Sequence, residues 1–253
     1  MIFFAHENNP LNPGDSSCSP GQYFDFGKMV STIPVSGLTD LRMAQGDTLV
    51  LGGGGLLNEV FLPDIEATIK GNAKMIIWSI GSNRHYWSGL MSNQISALLM
   101  GKKQALSEWC RRRFTRSIYT PRERVIIQSA TCSGLRDYQH EFQILPCPSC
   151  MHEVFDDLDS NNFDCHEIGV FGHQDFFPLP SSSKMSEFDY IGQSINQVVA
   201  NIASCKVIVT SSYHCAYWAY LLDKKVKVMA FSTKHLYLRK LVDHARKSDL
   251  SFL

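Results

Sequence analysis

The feature that most constrains the fold is residues 48–57 (TLVLGGGGLL), where a short apolar run leads directly into four consecutive glycines. Such a run, rich in β-forming residues, predicts a strand that is buried on both faces. The glycines after it let the backbone turn sharply and come close to a ligand or to another backbone. We therefore expect one buried strand of a sheet, with an end shaped for close backbone approach.

The pattern of apolar strand, polar loop and helix recurs along the chain. Further strands are predicted at residues 2–5, 74–80, 124–130, 166–172, 206–210 and 226–231, and helices at 22–30, 63–70, 90–112, 190–204, 214–222 and from 234 onward. Buried strands that alternate with helices and end in Gly, Ser or Asn loops indicate parallel sheets covered on both faces. We predict an α/β fold of two Rossmann-like lobes with a cleft between them.

An acidic stretch rich in Asp and Asn, residues 151–164, has no sustained hydrophobic period and is the best candidate for a boundary. This predicts an N-terminal lobe at 1–150, a linker at 151–165 and a shortened C-terminal lobe at 166–253. The 24 Lys and Arg balance the 24 Asp and Glu, so no net field draws the protein to nucleic acid or anionic lipid. Without a secretory signal or an apolar stretch of roughly 18 residues, we expect a soluble, cytoplasmic protein.

The eight cysteines are dispersed through the chain, and we interpret most of them as buried free thiols. Cys147 and Cys150 form a single CxxC pattern, which leaves metal or redox chemistry open beside the simpler interpretation of a turn at a strand end. We predict no resident metal and no cofactor.

Ligands of open parallel sheets bind beyond the carboxyl ends of the strands, where loops converge. The residues expected there are Asp15, Gly52, Gly53, Gly54, Gly55, Arg84, Arg136, Asp137, Ser211, Ser212, Tyr213, His214 and Lys234. The glycine run is neither a dinucleotide fingerprint nor a P-loop. His214 opens a helix after a strand, where it could contact an anion or move a proton, or could only pack under the helix. Ser211 and Ser212 could be N-caps, and Arg136 could simply pair with Asp137.

Several short motifs occur in an order that resembles the polysaccharide pyruvyl transferase family. They are GD in the first long loop, a strand ending in GGGGLL, an Ile-Gly loop after the next strand, RD after a mid-chain strand, and TS-x-YH before a helix. The resemblance extends from about Gly14 to about Lys234. It implies a GT-B-like architecture and transfer of a pyruvyl group from phosphoenolpyruvate to sugar hydroxyls of cell-surface glycans, which would place the enzyme in the cytoplasm or at the membrane where glycans are assembled.

By position, Arg136 matches the arginine of the family's RD motif, and His214 matches the histidine of its arginine-x-histidine-glycine motif. The arginine of that second motif falls on Ser212, and its glycine falls on Cys215. The resemblance thus implies His214 as acid or phosphate contact and Arg136 as an anion contact, with Arg84 or Lys234 replacing the lost cation. Asp15 belongs to the GD motif and completes the expected catalytic set.

Two other functions remain open. A GT-B-like glycosyltransferase would hold the diphosphate of a sugar nucleotide at the start of the same helix, with Ser212 as a hydroxyl contact. A family member without catalysis would bind a glycan through aromatic side chains. The expected partners are therefore a small anionic donor, either phosphoenolpyruvate or a sugar nucleotide, and a glycan acceptor.

Overall fold

A computed structural model describes residues 1–27, 30–69, 74–84, 118–138, 141–156, 165–172, 183–230 and 232–247, with only the backbone described for residues 244–247. The helix predicted at residues 90–112 lies outside the described residues.

Nine strands form two sheets in the described part of the chain. They are β1 (Ile2–His6), β2 (Val30–Pro34), β3 (Thr48–Gly52), β4 (Lys74–Ile80), β5 (Cys132–Leu135), β6 (His166–Phe171), β7 (Met185–Phe188), β8 (Cys205–Thr210) and β9 (Lys225–Val228). The first sheet has the order β2-β1-β3-β4-β5 and the second has the order β7-β6-β8-β9. Each of the paired strands is parallel to its neighbour. The predicted α/β class with two parallel sheets is confirmed.

Six α-helices and several short 3-10 helices connect the described strands. The α-helices are α1 (Pro13–Ser16), α2 (Leu62–Ile69), α3 (Pro121–Ser129), α4 (Ile195–Ala203), α5 (Tyr213–Leu221) and α6 (Leu238–Lys247). The 3-10 helices are Pro20–Gln22, Val35–Asp40, Pro148–Met151, Glu153–Phe155 and Thr233–His235. No described helix has the length and apolar character needed to cross a membrane.

The strand predicted at residues 124–130 is wrong, because this segment belongs to helix α3. The Thr120 side chain accepts a hydrogen bond from the Glu123 backbone N–H, and the Glu123 carboxylate accepts one from the Thr120 N–H. This reciprocal capping box, with Pro121 in the first turn, starts a helix that buries Ile126 and Ile127. The strand lies just beyond it, at β5.

The helix predicted at residues 22–30 is also wrong. The 3-10 helix Pro20–Gln22 is followed by irregular chain, in which Gly27 has a positive φ of 59°. Phe26 packs edge-on against Phe4, at 4.9 Å between ring centroids. The aromatic spacing therefore reflects a loop that covers one face of the sheet, and not a helical period.

Three further boundaries of helices and strands differ from the predictions. Helix α4 begins later than predicted because Gly192 has a φ of 78° and Ser194 is the N-cap, its side chain accepting from the Gln197 N–H. The terminal helix begins at Leu238, after Tyr237 with a φ of 59°. Strand β9 ends at Val228, before the predicted residue 231.

Two buried clusters form the core, one on each sheet. The first includes Leu49, Leu51 and Ile77. The second is centred on α4 and α5 and includes Val199, Tyr217 and Trp218, but it also includes Cys18 and Cys147 from the first part of the chain. The segments after the strands of the first sheet thus pack directly on the second sheet's core.

Candidate functional site

Loops that follow the strands of one sheet contact loops that follow the strands of the other. The Tyr190 hydroxyl, beyond β7, donates to Asn12 Oδ1 at 2.9 Å and accepts from the Gly14 N–H at 3.0 Å. The Arg84 N–H donates to Thr233 Oγ1 at 3.0 Å, and the Thr233 N–H donates to the Arg84 carbonyl oxygen at 2.9 Å. Several of the predicted site residues lie along this contact.

Arg136 is the buried cation of the site. It follows β5 and is 2% exposed, and its guanidinium carbon lies 4.1 Å from the centroid of the Tyr213 ring, at the start of α5. Its Nε is fully buried, and no residue that the structure describes gives the guanidinium a hydrogen bond or an ion pair. Burying a charge without a hydrogen-bonded counter-ion is costly, so this guanidinium is suited to receive an anion.

Two glycines leave the space in which this guanidinium lies. A Cβ at Gly55 would lie 3.1 Å from Arg136 Nη2, and a Cβ at Gly81 would lie 2.8 Å from Arg136 Nε. Both glycines follow strands of the first sheet, β3 and β4. Gly55, the last glycine of the predicted run, therefore lies directly beside the Arg136 guanidinium.

The first two glycines of the run, Gly52 and Gly53, closely approach another segment of the chain. Gly53 and Gly54 have φ of 69° and 81°, in the region that favours glycine. A Cβ at Gly53 would lie 2.1 Å from the Cys18 carbonyl oxygen, and one at Gly52 would lie 2.4 Å from Pro20 Cδ. The prediction of close backbone approach is confirmed, and the neighbour is the loop at residues 18–20.

The Asp137 carboxylate accepts hydrogen bonds from other parts of the chain, and among the described contacts it forms no ion pair with Arg136. Its Oδ2 accepts hydrogen bonds from the Ser82 N–H at 2.6 Å and from the Tyr119 hydroxyl at 3.0 Å. Burial raises the pKa of Asp137 to about 6, although the Arg136 charge and these hydrogen bonds oppose the rise. Asp137 therefore anchors the loops around the site, and Arg136 is left available.

His214 is the second residue of α5 and is 6% exposed. Its Nδ1 lies against Gly14, where a Cβ would be only 2.0 Å away, and its Nε2 lies 3.7 Å from Cys147 Sγ. The ring packs on Trp218 at 5.6 Å between centroids. The histidine therefore lies between the GD loop of the first sheet and the CxxC segment, with one ring nitrogen toward each.

The two serines before α5 form hydrogen bonds with neighbouring groups of the protein. Ser212 is the N-cap, because its Oγ accepts from the Cys215 N–H at 3.4 Å, and its own N–H donates to Thr210 Oγ1 at 2.9 Å. The Ser211 carbonyl oxygen is 3.0 Å from His235 Nε2. These contacts agree with the interpretation of Ser212 as an N-cap.

Asp15 is a half-buried carboxyl whose pKa is raised to about 6. Burial is the main cause, and the positive charges of Lys234 and Arg136 oppose it. Asn12 Nδ2 donates to Asp15 Oδ2 at 2.7 Å. The site thus brings a carboxyl that titrates near pH 6 close to two cations, one from each sheet.

Lys234 and Arg84 have different surroundings. Lys234 is 8% exposed within the 3-10 helix Thr233–His235, near enough to Asp15 to lower that residue's pKa. The Arg84 guanidinium donates to the Ile118 carbonyl oxygen, and its backbone is paired with Thr233. Of the two cations expected to replace the arginine lost at Ser212, Lys234 is the one whose charge acts on Asp15.

The predictions did not include four residues that the structure places here: His6, Asn12, Cys147 as a histidine contact, and Tyr190. His6 ends β1 at 2% exposure, burial lowers its pKa, and neither ring nitrogen has a hydrogen-bond partner among the described residues. A polar residue that closes an apolar strand was the available signal for His6. Asn12 and Tyr190 are 178 residues apart, so no local pattern connects them.

The CxxC segment is a turn of 3-10 helix after Cys147, in which Cys147 and Cys150 are free thiols. Within the described part of the chain, no group of three or more His, Cys, Asp or Glu side chains is arranged to hold a metal ion.

No protein-family model and no curated protein matches this sequence. Among solved structures, the chain is similar to the crystal structure of a functionally uncharacterised protein from Klebsiella pneumoniae subsp. pneumoniae NTUH-K2044. The identity is 16%, the match covers 98% of this chain and 89% of that chain, and the TM-score is 0.43.

Proposed function

We propose that this chain is a polysaccharide pyruvyl transferase-like enzyme of GT-B-like architecture, which transfers a pyruvyl group from phosphoenolpyruvate to hydroxyls of a sugar. The observation that carries the proposal is the buried Arg136 guanidinium, whose Nε has no hydrogen-bond partner among the described residues and which forms no direct ion pair with a described carboxylate. Phosphoenolpyruvate offers a carboxylate and a phosphate, and the planar fork of an arginine binds either of them through two parallel hydrogen bonds.

The charges around Arg136 suit a small anion held between the two sheets. Lys234 supplies a second cation from the opposite side, and its charge acts on Asp15 together with that of Arg136. The family's arginine falls on Ser212, and this serine caps α5. We infer that Arg136 and Lys234 together take over the binding of the donor's charges.

Asp15 is suited to transfer the protons of the reaction. With a pKa of about 6, raised further by a bound trianion, its carboxyl protonates the terminal CH2 carbon of the donor and leaves a cation at the central carbon. The resulting carboxylate accepts the proton of the first sugar hydroxyl as that oxygen adds to the central carbon. Phosphate then leaves with its bridging oxygen, the second hydroxyl adds, and its proton goes to phosphate, which completes a cyclic ketal.

His214 contacts the donor phosphate in this proposal. It lies at the start of α5, where the helix dipole favours negative charge, and it borders Gly14 beside the Asp15 loop. Of the two roles expected for this histidine, acid or phosphate contact, the proposal assigns the second, because Asp15 already supplies an acid of suitable pKa.

The test is calorimetric titration of the full chain with phosphoenolpyruvate and with a panel of sugar nucleotides. We expect saturable binding of phosphoenolpyruvate that is lost in Arg136→Met and retained in Arg122→Met. Arg122 is the control because it pairs with Glu59 and Glu66 at the surface. Binding of a sugar nucleotide alone would replace the proposal by a glycosyltransferase, and binding of glycans alone would indicate a family member without catalysis.

A further inference from the structure

We propose that Cys147 is a positioning residue, which fixes the tautomer of His214 through a directed chain of hydrogen bonds that begins at Trp218. The importance of this tautomer for donor binding rests on the function proposed above, but the chain itself does not. Its members are Trp218, Ser149, Cys147 and His214, and all four are at most 6% exposed.

The direction of the chain is set at Trp218. Its indole Nε1 donates to Ser149 Oγ at 3.0 Å, and an indole nitrogen has a proton to give but no lone pair with which to accept. Ser149 Oγ is therefore the acceptor in this contact. Its own hydroxyl proton is directed to Cys147 Sγ, 3.3 Å away.

The next link follows from the chemistry of a buried thiol. Burial raises the pKa of Cys147, so the sulfur keeps its proton at neutral pH. Since the sulfur accepts from Ser149, the S–H proton is available for His214 Nε2, which lies 3.7 Å from Sγ. Nε2 is thereby an acceptor, and a neutral imidazole that accepts at Nε2 carries its proton on Nδ1.

The consequence lies on the other side of the ring. Nδ1 lies against Gly14, in the loop that also holds Asp15. With its proton on Nδ1, the histidine directs an N–H toward the GD loop, and in the function proposed above this N–H contacts a phosphate oxygen. The opposite tautomer would direct its N–H toward a sulfur that already receives a hydrogen bond.

The tautomer can be read directly from the nitrogen-15 signals of the imidazole rings in the protein without ligand. The chain has nine histidines, and His214→Asn assigns the signals of this one. We expect Nδ1 protonated and Nε2 unprotonated in the wild type. Cys147→Ser, whose hydroxyl still donates, should keep this state, whereas Cys147→Ala should shift the population toward protonated Nε2. Cys205→Ala is the matched control, because Cys205 is a buried thiol that donates to the Asn201 carbonyl oxygen instead.

Binding measurements then show whether the tautomer acts on the donor. Phosphoenolpyruvate should bind about tenfold more weakly to Cys147→Ala and within about twofold of the wild type to Cys147→Ser and Cys205→Ala. His214→Asn, whose amide nitrogen stands near the position of Nδ1, should bind better than His214→Gln. Protonated Nε2 in the wild type, or an unchanged tautomer in Cys147→Ala, overturns the proposal. The predicted tautomer without binding of phosphoenolpyruvate leaves the chain of hydrogen bonds standing and rejects the proposed function.

Discussion

The Arg136 guanidinium stacks on the ring of Tyr213, with 4.1 Å between the guanidinium carbon and the ring centroid. The arginine follows a strand of the first sheet, and the tyrosine opens a helix that follows a strand of the second. Stacking on the aromatic face orients the guanidinium plane without using its N–H donors. The contact therefore joins the two sheets and leaves the cation free to bind a ligand.

Two substitutions of Tyr213 separate the ring from the hydroxyl. Within the described residues, the buried Tyr213 hydroxyl has no hydrogen-bond partner, so Tyr213→Phe should keep both donor affinity and stability. Tyr213→Leu removes the π face and should weaken phosphoenolpyruvate binding by roughly fivefold to thirtyfold, the range of a desolvated cation–π contact. Calorimetric titration of both variants checks this. Equal affinities in the two would show that the ring does not orient Arg136.

Asp15→Asn should stabilise the protein as the pH rises. The folded-state pKa of Asp15, about 6, lies above its ordinary value of 3.8, so folding disfavours the ionised form; stability is lost as the pH rises from about 3.8 through about 6 and stays at the lower level above that. Because the group is only half-buried, we expect about 1–2 kcal/mol of extra stability for Asp15→Asn at pH 8 and almost none at pH 4. Urea unfolding at both pH values measures the difference. The variant should lose turnover, and an advantage of the same size at both pH values would contradict the assigned titration.

Gly14→Ala should displace His214. A Cβ at this position would lie 2.0 Å from the imidazole Nδ1 and 2.5 Å from the Tyr190 hydroxyl, so both side chains must move. We expect the free energy of unfolding to fall by about 1–3 kcal/mol, the usual cost of overpacking a protein core. Donor binding should also weaken. Gly37→Ala is the control, because a Cβ there would lie 3.5 Å from its nearest neighbour, the Pro34 side chain, which is ordinary contact. Denaturant unfolding and calorimetry compare the two, and similar effects of both would argue against a constrained histidine.

Tyr190→Phe should loosen the connection between the sheets. The hydroxyl accepts from the Gly14 N–H and donates to Asn12 Oδ1, so its removal leaves a buried amide without that partner. The expected cost is about 1–2 kcal/mol in the free energy of unfolding. A double-mutant cycle with Asn12→Ala isolates the tyrosine–asparagine contact, and we expect a coupling of at least about 0.5 kcal/mol. Strict additivity would show that this hydrogen bond contributes nothing to stability.

The parts of the fold that could be predicted from sequence are those set by local apolar runs. Strands β3, β4 and β8 are each nearly continuous in apolar residues, and each lies where the pattern placed it. At residues 124–130 the apolar run RVIIQSA was misleading, although the capping box of Thr120 and Glu123 was visible in the sequence. A capping box, which marks the start of a helix, is therefore a better guide to this segment than a short hydrophobic run.

The candidate site was predictable only where it followed from strand ends. Arg136 and His214 were expected at the carboxyl ends of parallel strands, and the structure places both along the contact between the sheets. The contacts of Tyr190 with Asn12 and of Cys147 with His214 join residues far apart in the chain. They depend on how the two sheets pack together, and no spacing in the sequence encodes that packing.

The position of Arg136 and Lys234 on opposite sheets has a consequence for unfolding. A ligand held by both cations stabilises only the state in which the two sheets are packed together, so it favours that state by mass action. With saturating ligand, the two sheets should therefore melt in a single transition. In that case occupancy of the site reports the integrity of both sheets.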